Sequence, residues 1–224
     1  MTLLQEADVR IRTLVMTDLV GSTHLTQALG EARAASIFAL HERLARDLLV
    51  TAGGWEIDKA DGFLLLFEDP FAAVRFALDY HGALLDLSSR QKIRLEARVA
   101  IHQGKVLLRR NPPEHVARGA KPIEVEGLAK PVTARLMQVA ARCQTLLTLS
   151  ALRSLREDES RRRACLPADL SWRAHGRYQL HGLRKPILVF EVGVQGQAPL
   201  SRPRDTTKVR ASEMDRTIPV LHVV

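Results

Sequence analysis

Asp18 and Asp61 are the residues whose types and surroundings point most directly to chemistry. Asp18 closes the apolar stretch Leu14-Val-Met-Thr-Asp18 and is followed at once by Leu19-Val-Gly-Ser-Thr23. A strand that ends in a carboxylate and breaks into a Gly/Ser/Thr turn opening a helix sets two kinds of group side by side. The carboxylate suits a hard divalent cation. The N–H groups of the turn, with the helix N-terminus behind them, face an anion. A metal beside a phosphate uses both. An Asp at that place is also an ordinary helix cap, so a second carboxylate is needed. Asp61 is the candidate, preceding Gly62 and the apolar Phe63-Leu-Leu-Leu-Phe67. In a βαββ unit the first strand and the following hairpin are neighbours, so the two carboxylates converge as a two-metal phosphoryl site requires. The competing reading is that Asp61-Gly62 is only turn chemistry. Spacing alone leaves the two even.

These residues need a scaffold, and hydrophobic periodicity supplies one. Residues 11–17 read as a buried strand, and residues 24–29 as a helix stopped by Gly30. Ile37, Leu40, Leu44 and Leu48 mark one face of a longer helix ending at Gly53-Gly54. Residues 55–57 and 63–67 read as a hairpin, and Pro70 opens another helix. Residues 93–101 alternate, and after His102-Gln103-Gly104 residues 105–108 read as the second strand of a pair. The polar, Pro-rich residues 109–122 read as a loop. Residues 129–141 are helical, with Pro131 confined to the first turn. A strand at 145–149, a short helix capped by Ser150, a solvated charged loop around 157–163, and strands at 173–180 and 187–192 complete the order. That order predicts an α+β fold of the ferredoxin-like kind, a mixed, mostly antiparallel sheet with helices packed on it. Residues 1–193 form the expected domain. Residues 194–224 read as a linker and C-terminal tail leading to further domains in a longer natural chain, with 218–224 able to add a strand.

Composition narrows the function classes. The 224 residues are 46% hydrophobic and 26% charged, ample for one α/β-type core. No apolar run approaches the ~20 residues of a membrane span. The first residues lack the basic region and cleavage site of a signal peptide. Cys143 and Cys165 have no metal-ligand spacing, so two free thiols in a reducing cytoplasm are expected. The net charge of +8 invites a nucleic-acid partner. However, the arginines are scattered, and the one dense cluster, Arg161-Arg162-Arg163, follows Glu157-Asp158-Glu159. Nucleic acid is therefore not expected.

Several motifs then occur in order: Met16-Thr-Asp-Leu-Val-Gly-Ser-Thr23, Gly53-Gly54, Asp61-Gly-Phe63, Val99-Ala-Ile-His-Gln-Gly-Lys-Val106, Ala134-Arg-Leu136, Tyr178-Gln-Leu-His-Gly-Leu183 and residues 186–192. Together they resemble the class III adenylate/guanylate cyclase catalytic domain of bacterial type, over about residues 10–193. The resemblance implies a head-to-tail homodimer whose active sites are shared by both chains. It implies conversion of ATP, or alternatively GTP, to a 3′,5′-cyclic nucleotide and pyrophosphate in signal transduction. Two Mg²⁺ or Mn²⁺ ions per site would be held by Asp18, Asp61 and the carbonyl of Leu19. Val20, Gly21, Ser22 and Thr23 would face the triphosphate. Arg135 matches the arginine that stabilises the reacting phosphorus from the partner chain, a charge that develops only in the transition state. Arg184 or Lys185 would replace the family's phosphate-binding lysine.

Other positions depart from the pattern. Where the family commonly carries a ribose-orienting asparagine, this sequence has Pro131, and a purine-reading position is Leu128. The base-selecting position falls on Asp58, with Lys59 beside it in a hairpin one residue short. Lysine suits adenine N1, an acceptor, and an acidic residue suits the donors of guanine. The base stays open between ATP and GTP, with ATP expected. Two classes of function follow: a working cyclase with a non-standard purine pocket, or a weak or inactive cyclase-fold domain that binds nucleotide and metal or dimerises to regulate attached domains. His102 reads as structural, and His81, His175 and His181 as surface or packing residues. Trp55 and Trp172 read as core or interface.

Overall fold

Alternation along the first strand decides which side of the sheet each candidate residue faces. The computed structural model describes residues 8–212. Its elements are β1 (Asp8–Leu19), α1 (Ser22–Leu29), α2 (Glu31–Thr51), β2 (Trp55–Lys59), β3 (Phe63–Phe67), α3 (Pro70–Gln91), β4 (Ala97–Arg110), α4 (Pro113–Val116), β5 (Ile123–Glu126), α5 (Ala129–Val139), β6 (Thr145–Thr148), α6 (Leu149–Glu157), α7 (Glu159–Cys165), β7 (Leu170–Leu180), β8 (Ile187–Val194) and β9 (Val209–Ala211). The strands make one sheet in the order β2-β3-β1-β4-β6-β8-β7-β9, with β5 on the outer part of β4. Every pairing is antiparallel except β4 with β6. This is the mixed, mostly antiparallel α+β sheet that the element order predicts.

The two faces are buried differently. Val15, Leu65, Phe67, Val99 and Ile101 pack beneath α2, α3 and α6. The opposite face is covered mainly by α5, through Val132, Leu136 and Val139 on Ala100, Leu146, Tyr178 and Val189. Ala129 continues that contact onto Leu14, Leu64, Leu66 and Val106. Successive strand residues point to opposite faces, so Asp18 shares the α5 face with Leu14 and Met16.

Several elements differ from the sequence expectation. Residues 97–110 form one continuous strand rather than two. Gly104 does not turn the chain. It lets β4 pass under α5, where a Cβ would lie 2.7 Å from His102 Nε2 and 3.4 Å from Ala129 Cβ. The expected loop at 109–122 contains α4, is closed by Asn111 Nδ2 donating to Lys121 O (2.7 Å), and leads into β5. The charged run expected as solvated loop contains helix α7, whose first turn is capped by Asp158 and whose Glu159 pairs with Arg162 (2.6 Å) and Arg163 (2.8 Å). Trp172 packs on the core, whereas Trp55 is 46% exposed.

The largest difference lies after β8. In place of a linker, the chain turns at Gly196, runs back as a strap, and adds β9 to the edge of β7 opposite Tyr178, Gln179 and Leu180. Buried Glu191 holds the strap, accepting from Leu200 N (2.7 Å), His175 Nε2 (2.8 Å) and Gln144 Nε2 (2.6 Å). Gln144 Nε2 also donates to Ser201 O (2.7 Å), and Tyr178 Oη to Pro203 O (3.1 Å). A segment without periodicity of its own is thus tied down by side chains buried in the sheet, which composition does not reveal. Residues 218–224 lie outside the described residues.

Candidate active site

The structure brings Asp18 and Asp61 to the same end of the sheet. Phe63 N donates to Thr17 Oγ1 (3.1 Å), which pins the start of β3 across the end of β1. Gly62 is required by that crossing, since a Cβ there would meet Thr17 O at 1.8 Å and Asp18 Cα at 3.1 Å. Asp61 is therefore more than half of an Asp-Gly turn: its neighbour lies on the backbone of Asp18. It is exposed and, with Leu19, Ser22, His41 and Lys59, lines a cavity of about 140 Å³.

Below this corner His41 Nε2 lies 2.6 Å from Tyr80 Oη, whose hydroxyl also bonds Thr17. Burial pushes His41 down to about 4 and raises the Tyr80 phenol. Both side chains are therefore neutral at pH 7, a rigid support rather than an acid–base pair.

The turn after β1 is open. Gly21 adopts a left-handed conformation (φ 73°, ψ 27°), available to glycine at little cost, and no side chain caps α1. The first N–H groups of α1 are thus left for an external acceptor. Asp18 itself has a partner that sequence reasoning missed. Arg98, opposite it in the β1–β4 register, donates from Nε (2.9 Å) and Nη2 to Asp18 Oδ2. The available signal was the Arg-Val-Ala-Ile-His motif, since its alternation puts Arg98 on the face of Ala100 and His102.

Among the described residues no three His, Cys, Asp or Glu side chains gather as a metal site. The donor set still fits a hard cation. Mg²⁺ is commonly bound by one or two carboxylates plus substrate phosphates and water, and Asp18, Asp61 and a backbone carbonyl are all oxygen donors.

The remaining candidates sit elsewhere. Arg135, half-buried on α5, turns back along its helix. Its Nη1 donates to Pro131 O (3.3 Å), its Nε is buried without a partner, and a Cβ on Gly182 would lie 3.6 Å from its Nη2. It thus stands beside the β7–β8 turn that carries the exposed Arg184 and Lys185. Strand register measures how far that is from Asp18. Arg98 pairs with Asp18, Val99 with Thr145, and Thr145 with Val192. The β7–β8 turn precedes Ile187, roughly 17 Å further along β8 at the usual rise per residue. One chain therefore places the carboxylates and the Arg184–Lys185 turn at opposite ends of its sheet.

The two base-selecting candidates part company as well. A bulge separates Glu56 from Asp58 in β2. Asp58 pairs with Lys121 (2.5 Å), before β5, and its carboxyl is held below the usual range by that bond. Lys59 instead pairs with Glu42 (2.5 Å) on α2. Asp58 thus lies on the α5 side with Asp18, and Lys59 on the other. Leu128 is 70% exposed at the start of α5, and Pro131 occupies its first turn.

His81, His102 and His175 are structural. His102 Nδ1 meets Thr148 Oγ1 (2.9 Å), His81 Nε2 meets Thr145 Oγ1 (3.0 Å), and burial lowers both to about 4. His175 is buried against Glu191. Cys143 and Cys165 are free thiols. No helix among the described residues is long and apolar enough to cross a membrane.

No protein-family model matches the sequence, and no curated protein is detectably similar to it. Solved structures are similar in fold. The adenylyl cyclase CyaB from P. aeruginosa superposes with a TM-score of 0.72 at 15% identity, over 84% of this chain and 96% of that one. A structure of adenylate cyclases from Trypanosoma brucei in their monomeric state gives 0.68 at 23% identity, over 89% and 92%. The guanylate cyclase domain of RhGC from Catenaria anguillulae in complex with GTP gives 0.69 at 11% identity, over 83% and 98%. The chain has the fold of the class III adenylate/guanylate cyclase catalytic domains.

Proposed function

We propose that this chain is a purine nucleotide cyclase acting in signal transduction. It converts ATP to 3′,5′-cyclic AMP and pyrophosphate as a head-to-tail homodimer. The observation that carries this reading is the division of the site. Asp18 and the Asp61–Gly62 turn lie at one end of the sheet, while Arg135 stands beside the Arg184–Lys185 turn towards the other. A two-fold arrangement lays the second end of one chain over the first end of its partner and completes two identical sites.

In each site Asp18, Asp61 and the Leu19 carbonyl would hold two Mg²⁺ or Mn²⁺ ions. The chemistry such ions supply when bound is neutralisation of the phosphates and activation of the ribose 3′-hydroxyl. The N–H groups of Gly21, Ser22 and Thr23 orient the triphosphate, while Val20 N donates to Glu96 O (2.8 Å) and fixes the start of the turn. Arg184 or Lys185 from the other chain adds a positive charge. Arg135, also from the other chain, opposes the charge that grows on the α-phosphorus oxygens as the 3′-oxygen attacks and pyrophosphate departs. Leu128 and Pro131 give the ribose and base no hydrogen bond, so turnover is slow.

A second reading concerns the base. Asp58, not Lys59, lies on the α5 face, and a carboxylate accepts from guanine N1–H and N2–H₂. That placement favours GTP. Purified protein incubated with Mn²⁺ or Mg²⁺ and either nucleotide, with products separated by chromatography, tests both readings. Cyclic AMP formation that is lost in Asp18→Ala supports the proposal, and cyclic GMP in its place supports the second reading. No cyclic product under any condition makes the domain a nucleotide- or dimer-based regulator instead.

A further inference from the structure

The strap that replaces the expected linker does more than extend the sheet. It forms one wall of a cavity of about 620 Å³ whose other walls are the end of α5, Arg98 and the backbone turn at Val20. That volume lies within the range of small-ligand sites. Its charged lining is Arg98, Arg142, Arg202 and Arg204 against Asp205. Arg98 and Arg142 are already paired, with Asp18 and with Glu96 (3.1 Å). Arg202 bonds the neutral Tyr178 hydroxyl, and neither Arg202 nor Arg204 makes an ion pair among the described residues. Both guanidinium groups are on exposed residues.

The strap is built to hold them there. Leu200 is kept at φ 44°, a left-handed conformation that costs an L-residue energy, by donating to Glu191 and accepting from Arg173. Pro203 is buried, so the side chains on either side of it are displayed. Two carbonyls at the end of α5 are engaged within the chain. Met137 O accepts from Ala140 N, and Ala141 O from Gln144 N. Asp205 Oδ1 accepts from Ala211 N (2.8 Å) and so serves the strap.

We propose that this cavity is a polyphosphate-anion site in which Arg202 and Arg204 bind phosphate oxygens beside the Val20 turn. Guanidinium groups match phosphate oxygens with charge-assisted, often bidentate bonds. The phosphates come either from the terminal part of a nucleotide held at that turn or from free polyphosphate such as the pyrophosphate product. Because Arg98 borders both the cavity and Asp18, an anion there gives its guanidinium a second partner and loosens its hold on the carboxylate. The anion and a divalent metal at Asp18 then favour each other's binding, as linkage requires of any two coupled sites. The proposal deepens the nucleotide reading, but its central test needs neither metal nor turnover.

Inorganic tripolyphosphate titrated calorimetrically into the metal-free protein is the probe. Binding by wild type, weakened about tenfold or more in Arg202→Gln/Arg204→Gln at an unchanged melting temperature, is the expected result, on the scale of lost charge-assisted hydrogen bonds. If the double variant melts lower, Arg204→Gln alone, whose side chain has no ion pair to lose, must still weaken binding. Equal binding by wild type and Arg204→Gln, or no binding at millimolar tripolyphosphate, overturns the proposal. Competition separates the two sources. Displacement of ATP by tripolyphosphate assigns the site to the nucleotide's own phosphates, and simultaneous binding assigns it to a free polyphosphate. Loss of cyclase activity in Asp18→Asn with tripolyphosphate binding retained separates this site from the catalytic one.

Discussion

The two ends of the sheet carry complementary parts of one proposed site, yet they are built to different standards. At the Asp18 end every feature is enforced by close packing. Gly62 crosses Thr17 with no room for a side chain, Thr17 Oγ1 fixes β3, and the buried His41–Tyr80 pair supports the strand from beneath. At the other end Arg135 has a long bond to its own helix and an unpartnered Nε, Arg184 and Lys185 are exposed, and the side chains of Leu128 and Pro131 offer no polar group. A part that works within one chain is preorganised by that chain. A part that works on a partner's substrate is left to be ordered by the partner. This difference is what a shared site leads one to expect, and it can be broken or sharpened by mutation.

The largest effect belongs to the ordered end. Replacing Asp18 or Asp61 by Asn should lower cyclic-nucleotide formation by about 10³-fold, because the metal contribution is worth several kcal/mol of barrier. Loss confined to Asp61 would mean that Asp18 serves only as the ion-pair partner of Arg98. A gain is expected at the other end. Pro131→Asn, at a helical position where proline has no donor to give, should raise kcat by about tenfold, one hydrogen bond's worth. An unchanged or lower kcat in a protein of undiminished stability would show that Pro131 is not what limits turnover. A smaller effect is expected of Asp58→Lys, which should move the ATP-to-GTP kcat/KM ratio several-fold towards ATP. No movement would take Asp58 out of the base pocket.

The smallest effect concerns the scaffold that both ends share. His41, His81 and His102 are all lowered by burial from 6.5 to about 4. The unfolded chain therefore takes up protons that the folded chain refuses. Their contribution is fully present above about pH 6.5 and is lost as the pH falls towards 4, each histidine removing about 1.4 kcal/mol per pH unit within that window. Circular-dichroism melts should show a flat Tm above pH 7 and a steep fall below 6. Replacing His41 by Gln should reduce the slope, whereas an unchanged slope would place the proton uptake elsewhere.

The core of the fold and the ordered end could be read from the sequence, because both rest on local signals. Alternation and periodicity marked β1, the β2–β3 hairpin and helices α1, α2, α3, α5 and α6, and Gly21 and Gly62 stand where the backbone favours or requires glycine. What escaped depends on partners distant in sequence. Gly104 reads as a turn until α5 is seen above it. Arg98 gains its role only when the register sets it against Asp18. The strap reads as a linker because its hydrogen bonds are made with Gln144, Tyr178 and Glu191, none of which lies within it. The positions of Asp58 and Lys59 on opposite faces turned on a single bulge, and bulges are invisible to a period-two count.

The central claim is that the two ends act together only across a dimer. Asp18→Ala and Arg135→Ala proteins, each inactive alone, can be mixed under conditions of proven subunit exchange and assayed for cyclic nucleotide. The shared-site model predicts recovery to about a quarter of wild-type activity, since random exchange in a symmetric dimer makes half the dimers heterodimers with one intact site of two. No recovery despite exchange would contradict it.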